Sequence, residues 1–166
     1  MKKKNQTCSD DFGINLNRVL RFLSFRPRSE KEIKDYLKRK QVSLITSQKV
    51  ISKLKESNFL NDLEFAKWWV EQRTLIKPRA LRIIKIELKQ KGISNEIIEE
   101  LMQNTEFKLK NDVEMAIKLA QKRMQRYKNL SKQEIYEKMG RFLQSKGFDY
   151  ETIRKSIDEV FSKEYN

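Results

Sequence analysis

The stretch from Leu60 to Ile93 limits the possible folds of this chain more than any other part of it. Asn61 and Glu64 have the spacing of a capping box, in which two side chains bind the free N–H groups at the start of a helix. After them, apolar residues recur at the period of a buried helical stripe: Phe65, Ala66, Trp69, Val70 and Ile76. Pro78 suits the first turn of a second helix, and Gly92 suits its end, where the backbone turns left-handed. The stretch therefore predicts two helices that are joined at a proline and stopped by a glycine.

The same plan recurs on both sides of this stretch. A shift of 51 residues places Pro27 on Pro78, and a shift of 55 residues places Lys91-Gly92 on Lys146-Gly147. Similarity at a fixed spacing of about 50 residues is typical of repeat proteins, and each unit has room for three helices. Because three helices bury little apolar surface alone, neighbouring units are expected to pack against each other. The predicted fold is all-α, with three tandem three-helix repeats forming an elongated, curved helical array.

The predicted segments are a flexible basic tail over residues 1–12, repeat one over 13–59, repeat two over 60–104 and repeat three over 105–166. Repeat three opens with a long helix, predicted from about Phe107 to Tyr127. The second helices of repeats one and three each begin with a capping box of their own: Ser29 with Glu32, and Ser131 with Glu134. No segment alternates with the two-residue period of a strand, so no β-structure is predicted.

The chain is strongly basic, with 37 lysines and arginines against 23 aspartates and glutamates and a net charge of +14. The excess is uneven: residues 1–60 carry a net charge of +9, residues 61–105 of +1, and residues 106–166 of +4. A concentrated positive charge attracts polyanions, although solubility alone also explains a scattered excess. The sequence favours an anionic partner contacted mainly by the first repeat, with weak, non-specific binding of DNA.

Several classes of protein are excluded by what the sequence lacks. Cys8 is the single cysteine and histidine is absent, which excludes an internal disulfide and zinc sites of the Cys/His type. Without histidine, a glycine-rich phosphate loop or a Walker lysine, nothing supports catalysis. No apolar run approaches the roughly 20 residues that cross a bilayer, and the basic start is not followed by the apolar region of a signal peptide. We expect a cytoplasmic protein that is not an enzyme and needs no cofactor or metal.

Two features of the sequence are candidate contacts with a partner. Trp68 lies about 100° round its helix from Trp69, off the buried stripe, and an exposed tryptophan is a good anchor for a protein or an unstacked base. Alternatively, Trp68 packs against the neighbouring repeat. The second feature is a basic ridge on the second helix of repeat two and at the matching corner of repeat one: Arg26, Arg28, Arg79, Arg82, Lys85 and Lys89. A repeated ridge suits phosphates or acidic side chains, but an ordinary solvated helix face has the same pattern.

Another line of basic residues lies on the outer face of the long helix of repeat three: Lys118, Lys122 and Arg126. We interpret this line as a solvated surface, because Glu114 and other acidic residues are close in sequence. Two apolar residues outside the main stripe of repeat two are candidates for the seam between repeats: Ile83 and Ile86.

Two ordered blocks of this sequence resemble the RecX family, bacterial regulators of the RecA recombinase. The first block contains Leu20, Leu23, Ser24, Arg26, Arg28, Ser29, Glu30, Glu32, Ile33, Tyr36 and Leu37, and continues through Val50, Ile51 and Leu54. The second block contains Leu60-Asn61-Asp62, Phe65-Ala66, Val70, Arg73, Pro78, Leu81, Leu88 and Lys91-Gly92-Ile93. Together they cover residues 16–103 well, and the last third agrees by its general plan.

The resemblance implies a function that the residues alone do not. Proteins of this family lie in the groove of the RecA filament on single-stranded DNA, across adjacent protomers. They suppress ATP hydrolysis and the recombinase and coprotease activities of RecA, in DNA repair and the SOS response. The expected partner is therefore this filament, bound by a monomer of the chain. The residues alone also allow an alternative, an autonomous and non-specific nucleic-acid-binding protein that uses short helical hairpins.

Overall fold

The computed structural model describes residues 11–103, 112–127 and 129–164, which form nine helices and no β-strand. The helices are α1 Phe12–Leu23, α2 Glu30–Arg39, α3 Leu44–Glu56, α4 Asp62–Glu71, α5 Leu81–Gln90, α6 Asn95–Gln103, α7 Asp112–Met124, α8 Lys132–Ser145 and α9 Tyr150–Glu164. A π-helical turn, Gln72–Ile76, extends α4. The prediction of an all-α chain of three-helix repeats is confirmed. Most of the predicted basic tail (residues 1–10) and the predicted helix start at Phe107 lie outside the described residues.

Side-chain caps define the starts of several helices, as the sequence predicts. The hydroxyl of Ser29 accepts a hydrogen bond from the backbone N–H of Glu32, and the Glu32 carboxylate accepts one from the N–H of Ser29. Ser131 and Glu134 form the same box at α8. At α4, the side-chain oxygen of Asn61 accepts hydrogen bonds from two backbone N–H groups of the first turn. Each cap satisfies donors that the helix itself leaves free.

The passage from α4 to α5 differs from the sequence prediction. The backbone N–H of Lys77 donates to the carbonyl of Gln72 at 2.9 Å, five residues earlier, so the chain is wound here as a π-helix. This wider turn rotates Ile76 out of the predicted buried stripe, and its side chain is 64% exposed. Pro78 precedes α5 instead of lying in its first turn, because α5 begins at Leu81, where a side chain of the next repeat caps it.

The described residues divide between two compact units, with boundaries that fall inside α4, α5 and α6, and each unit has its own hydrophobic core. Unit 1 contains the residues up to Trp68 together with Lys89–Ile97, and unit 2 contains Trp69–Leu88 together with the residues from Ile98 onward. The core of unit 1 is built by Val19, Ile33, Leu37, Val42, Val50, Ile51, Leu54 and Leu60. That of unit 2 is built by Ala80, Met115, Ala116, Ala120, Met124, Ile135, Met139, Leu143, Phe148, Ile153, Ile157, Val160 and Phe161. Full burial of each large apolar side chain contributes about 1.5–3 kcal/mol.

A set of hydrogen bonds links repeats one and two within unit 1, and we call it the first joint. The carboxylate of Asp62 accepts a hydrogen bond from the backbone N–H of Glu30 at 2.8 Å. The hydroxyl of Ser29 donates to the carbonyl of Lys91 at 2.7 Å, and the ammonium of Lys31 donates to the preceding carbonyl at 2.9 Å. The start of α2 is therefore bonded to the start of α4 and to the end of α5.

An equivalent set, the second joint, links repeats two and three within unit 2. The carboxylate of Asp112 accepts a hydrogen bond from the backbone N–H of Leu81 at 2.8 Å. The N–H of Ala80 donates to the carbonyl of Lys146 at 3.1 Å, and Nε of Arg82 donates to the following carbonyl. The repeat seen in the sequence thus extends to the hydrogen bonds that hold one repeat on the next.

A left-handed glycine completes each joint and confirms the helix stops predicted from the sequence. Gly92 has a φ of 81° and Gly147 a φ of 92°. A Cβ on Gly92 would lie 2.7 Å from Cβ of Lys31, and a Cβ on Gly147 would collide with the side chain of Ile83. This contact confirms that Ile83 lies at a seam between repeats, whereas Ile86 is 49% exposed. Both the backbone conformation and the close approach therefore require glycine.

Candidate nucleic-acid interface

Arg26, a predicted partner contact, is held by an ion pair within unit 1. Its terminal nitrogens donate to the carboxylate of Glu32 at 2.8 and 3.0 Å, and its guanidinium lies 5.8 Å from the ring centroid of Trp68. Lys91 donates to the same carboxylate at 2.6 Å. Burial raises the pKa of Glu32, but the hydrogen bonds and charges of the two cations outweigh burial and hold this pKa at about 2. The ionised carboxylate of Glu32 therefore compensates much of the charge of Arg26.

Arg28, the neighbouring candidate, stacks on an aromatic ring. Its guanidinium carbon lies 3.8 Å from the ring centroid of Phe22, which in turn stacks on Tyr36. The Nε of Arg28 is buried and has no hydrogen-bond partner among the described residues. Burial, followed by repulsion from Arg26, lowers the pKa of Arg28. The ring covers one face of the guanidinium, so less of Arg28 is accessible to a partner than the sequence suggested, although its charge is not neutralised.

The two tryptophans of α4 are both half-buried. Trp68 packs on Phe65, with ring centroids 6.0 Å apart, and on the guanidinium of Arg26 from the first repeat. These contacts agree with the packing alternative for Trp68. The predicted apolar stripe places Trp69 in the core, but in the structure its side chain is only half-buried. Its indole N–H donates to the carboxylate of Glu87 at 2.9 Å. The polar edge of the indole is thereby satisfied without water.

The predicted basic ridge around α5 is only partly available to a partner. Arg82 is bonded in the second joint, and Nε of Arg79 lies 3.6 Å from the carboxylate of Glu87. Lys85 and Lys89 are exposed on α5. The structure therefore uses both arginines for contacts within unit 2, and the lysines remain accessible. A role of these residues in partner contact stays a prediction.

Seven basic side chains line a groove of unit 2 with a volume of about 440 Å³, which we call the basic groove. It lies between the π-helical turn with its following loop, the end of α7, and α8. Its basic residues are Arg73, Lys77, Arg79, Lys122, Arg123, Arg126 and Lys146. Within the part of the chain that the structure describes, no acidic residue lines it. A lining of one sign concentrates the field of its charges and attracts oppositely charged ligands.

The edge of the groove nearest α4 is fixed by a single carboxylate. Glu87, on α5, accepts a hydrogen bond from Nε of Arg73 at 2.7 Å and lies 3.6 Å from Nε of Arg79. The guanidinium of Arg73 also stacks on Trp69, 4.5 Å from its ring centroid. Glu87 therefore positions both Arg73 and Arg79 by ionic contacts, and Trp69 further positions Arg73 by stacking.

On the side of the groove formed by α8, two cations lie over the aromatic ring of Phe142. The guanidinium of Arg123 lies 4.6 Å and the ammonium of Lys146 lies 5.4 Å from the ring centroid of Phe142. Arg123 also donates to the hydroxyl oxygen of Tyr127 at 3.1 Å. These contacts orient both cations but neutralise neither of them, because a ring attracts a cation without carrying a net charge.

The remaining three cations of the groove are its most accessible charges. Lys77, Lys122 and Arg126 are exposed, and none of them forms an ion pair with a described residue. Lys122 lies in the last turn of α7, and Arg126 lies in the turn that follows the helix. An anion in the groove would therefore meet at least two cations that no carboxylate already compensates.

Other kinds of site find no support in the described residues. No group of three or more histidine, cysteine, aspartate or glutamate side chains there is arranged to hold a metal ion. None of the described helices combines the length and the apolar character needed to cross a bilayer. The basic groove and the exposed lysines of α5 are thus the features that suit a charged partner.

Models of the RecX family match the chain in three consecutive blocks. The first three-helix domain of RecX matches residues 16–54, the second matches residues 61–102, and the third matches residues 111–157. The chain belongs to the RecX family. The agreement extends over the third repeat, which the sequence alone related to RecX only by its general plan. The family is one of regulatory proteins and not of enzymes, in agreement with the prediction from the sequence.

Individual RecX proteins support the same conclusion. The regulatory protein RecX of Bacillus pumilus is 36% identical over 140 residues, covering 84% of this chain and 52% of the relative. That of Bacillus subtilis is 32% identical over 151 residues, covering 91% and 56%. The chain thus spans about half the length of the curated relatives it matches. The crystal structure of RecX from Lactobacillus salivarius has a TM-score of 0.68 at 28% identity, covering 90% of this chain and 96% of that one.

Sequence reasoning did not single out the basic groove as a site. The resemblance to RecX directed attention to repeats one and two, whereas most of the groove's cations come from repeat three. The sequence places Lys122 and Arg126 in a line of charges, but the nearby Glu114 favours a solvated surface there. In the structure Glu114 lines a neighbouring cavity together with Lys118 and Lys122, and it does not line the basic groove. The useful signal was the four-residue spacing of Lys122 and Arg126, followed one helix later by Phe142 and Lys146.

Proposed function

We propose that this chain binds the RecA filament on single-stranded DNA and lowers its rate of ATP hydrolysis, and with it the recombinase and coprotease activities used in DNA repair and the SOS response. The observation that carries the proposal is the match of three consecutive RecX domains, in order, over most of the chain. The relatives are named regulatory proteins. The link to RecA comes from the family resemblance, and a cytoplasmic location remains a prediction from the sequence.

The proposed mechanism is binding without chemistry. A ligand shifts a conformational equilibrium only by its difference in affinity for the two states. The chain would therefore need to bind one arrangement of RecA protomers more tightly than the arrangement that hydrolyses ATP. A basic protein with separate three-helix repeats suits an extended, anionic partner of this kind, because several weak contacts act together on a repeating target. Monomeric chains could bind along the filament in this way.

The test is the steady rate of ATP hydrolysis by RecA on single-stranded DNA, measured as increasing amounts of the protein are added. We expect the rate to fall, and a pull-down on nucleotide-bound filaments to retain the protein more strongly than either naked DNA or RecA without DNA. An unchanged rate at both sub-stoichiometric and saturating amounts would refute the proposal.

The basic groove favours one competing function, autonomous nucleic-acid binding, and the same experiments distinguish the two. In that case the protein would bind single-stranded DNA equally well with and without RecA. Its effect on ATP hydrolysis would then disappear when DNA is supplied in large excess, because the protein would act only by occupying free DNA.

A further inference from the structure

We propose that the basic groove of unit 2 binds the phosphodiester backbone of single-stranded nucleic acid. This assigns a binding site for DNA to repeats two and three, whereas the distribution of charge along the sequence pointed to repeat one. The inference does not depend on the proposed action on RecA, because it concerns binding to a naked strand.

The cations that are free to bind phosphate lie on two different segments around the groove. Lys77 belongs to the loop before α5, and Lys122 and Arg126 lie at the end of α7 and in the turn that follows it. Charges on separate segments contact successive phosphates of a strand more readily than they converge on one small anion.

The aromatic and apolar lining favours a nucleic-acid strand over an acidic peptide. Phe142 lines the groove beneath Arg123 and Lys146, and Ile76, exposed by the π-helical turn, lines it as well. Unstacked bases bind to aromatic rings and to planar guanidinium groups, and the groove supplies both. An acidic peptide would use the cations but would leave this stacking surface without a specific partner.

The contacts of the groove suit a single strand of any sequence. Apart from Gln125, the lining consists of cations and apolar side chains, which can contact phosphates and the faces of bases without requiring a particular sequence. Each phosphate neutralised on a single strand contributes about 0.7 to the slope of log affinity against log salt. The double replacement of Lys122 and Arg126 therefore has a quantitative signature.

The experiment measures binding of a fluorescent oligo(dT) by anisotropy at a series of salt concentrations. For Lys122→Ala/Arg126→Ala we expect weaker binding and a salt slope flatter by up to about 1.4. With this difference in slope, a fourfold rise in salt concentration lowers the affinity of the wild-type protein for oligo(dT) by a factor about seven times larger than it lowers that of the variant. Both side chains are exposed, so the fold is expected to survive, and circular dichroism checks that it does.

The matched control is Lys138→Ala/Lys155→Ala, which removes the same charge from exposed helix positions of unit 2 outside the groove. We expect its salt slope to stay close to that of the wild type. Equal slopes for the two double variants would overturn the proposal, since net charge alone would then explain binding.

A competitor distinguishes nucleic acid from an acidic protein segment. Unlabelled poly(dT) and polyglutamate of equal charge concentration are each titrated against the bound oligonucleotide. We expect poly(dT) to displace it at much lower concentration. The contrary result is that polyglutamate displaces the oligonucleotide equally well and that Lys122→Ala/Arg126→Ala weakens the binding of both polymers to the same extent. The groove would then bind acidic protein segments, and the assignment to nucleic acid would be overturned.

Discussion

The carboxylate of Asp112 accepts a hydrogen bond from the backbone N–H of Leu81, 2.8 Å away, and caps a helix that belongs to the preceding repeat. Asp62 caps α2 in the same manner in the first joint. Burial raises the pKa of both carboxyl groups, although the backbone hydrogen bond that each accepts lowers it. Burial thus opposes the charged form more strongly than the bond favours it, and each carboxylate supplies the acceptor for the first N–H group of its helix, in α2 alongside the Ser29 cap.

Replacing this cap is expected to destabilise the second joint. Asp112→Ala removes the acceptor of the Leu81 N–H, and loss of such a cap costs about 0.5–2 kcal/mol of unfolding free energy. Asp112→Asn keeps an acceptor oxygen and should cost less. Urea unfolding measures both, with the exposed Asp35→Ala as the control, expected to stay within about 0.5 kcal/mol of the wild type. A loss for Asp35→Ala as large as that for Asp112→Ala would contradict the assignment.

The ion pairs of Glu32 predict a dependence of stability on pH. Its folded-state pKa of about 2 lies below the ordinary value of 4.5, because Arg26 and Lys91 outweigh the effect of burial. The stabilisation is therefore complete above about 4.5 and is lost as the pH falls towards 2. The difference in unfolding free energy between the wild type and Glu32→Gln should be largest near neutral pH and shrink through this window. A difference that is constant from pH 7 to 3 would show that the ion pairs contribute nothing.

The glycines of the joints should not tolerate a side chain. Gly147→Ala places a Cβ against Ile83 at a φ of 92°, and the left-handed conformation alone costs about 1–2 kcal/mol for a residue with a Cβ. Gly140 is the matched control, because it lies inside α8 and a Cβ added there would meet no atom within 4 Å. Gly140→Ala should stabilise the helix by up to about 1 kcal/mol. Thermal unfolding of the two variants should therefore move in opposite directions.

Arg26 and Arg28 offer a comparison between the charge pattern of the sequence and the folded protein. The sequence predicts that their replacement by alanine flattens the salt slope of DNA binding by up to about 1.4. The structure pairs Arg26 with Glu32 and stacks Arg28 on Phe22. We therefore expect Arg26→Ala/Arg28→Ala to lower the melting temperature while changing the salt slope less than Lys122→Ala/Arg126→Ala does. The reverse order of slopes would place the main DNA contact in repeat one.

Much of the fold could be predicted because its signals are local. The capping box of Ser29 and Glu32 and the left-handed Gly92 and Gly147 each involve residues a few positions apart, and the structure confirms them. The start of α5 and the exposure of Ile76 could not be predicted in the same way. The start of α5 depends on a carboxylate 31 residues later in the chain. The exposure of Ile76 depends on a π-helical turn that no pattern in the sequence predicts.

The candidate site is harder to predict, because the sequence gives the order of charges along the chain and not their arrangement in space. Residues 1–60 hold most of the excess, but several of their cations are paired within unit 1: Arg26, Lys34, Lys55 and Lys53. The basic groove gathers Arg73, Lys122 and Lys146 from three separate helical segments that no short window of sequence contains together. Folding therefore determines the local density of charge on the surface, whereas the composition determines only the net charge of the chain.

The two joints also determine where this chain can be cut without damage. A truncated protein that stops at residue 59 would keep Ser29 and Glu30 but lose Asp62 and Lys91, and would leave their polar groups to water. The second repeat expressed by itself would lose one half of each joint. A fragment of residues 11–97 would keep the first joint whole, but it would keep Ala80 and Leu81 while losing Lys146 and Asp112, their partners in the second joint. Any boundary between residues 31 and 146 therefore breaks at least one joint.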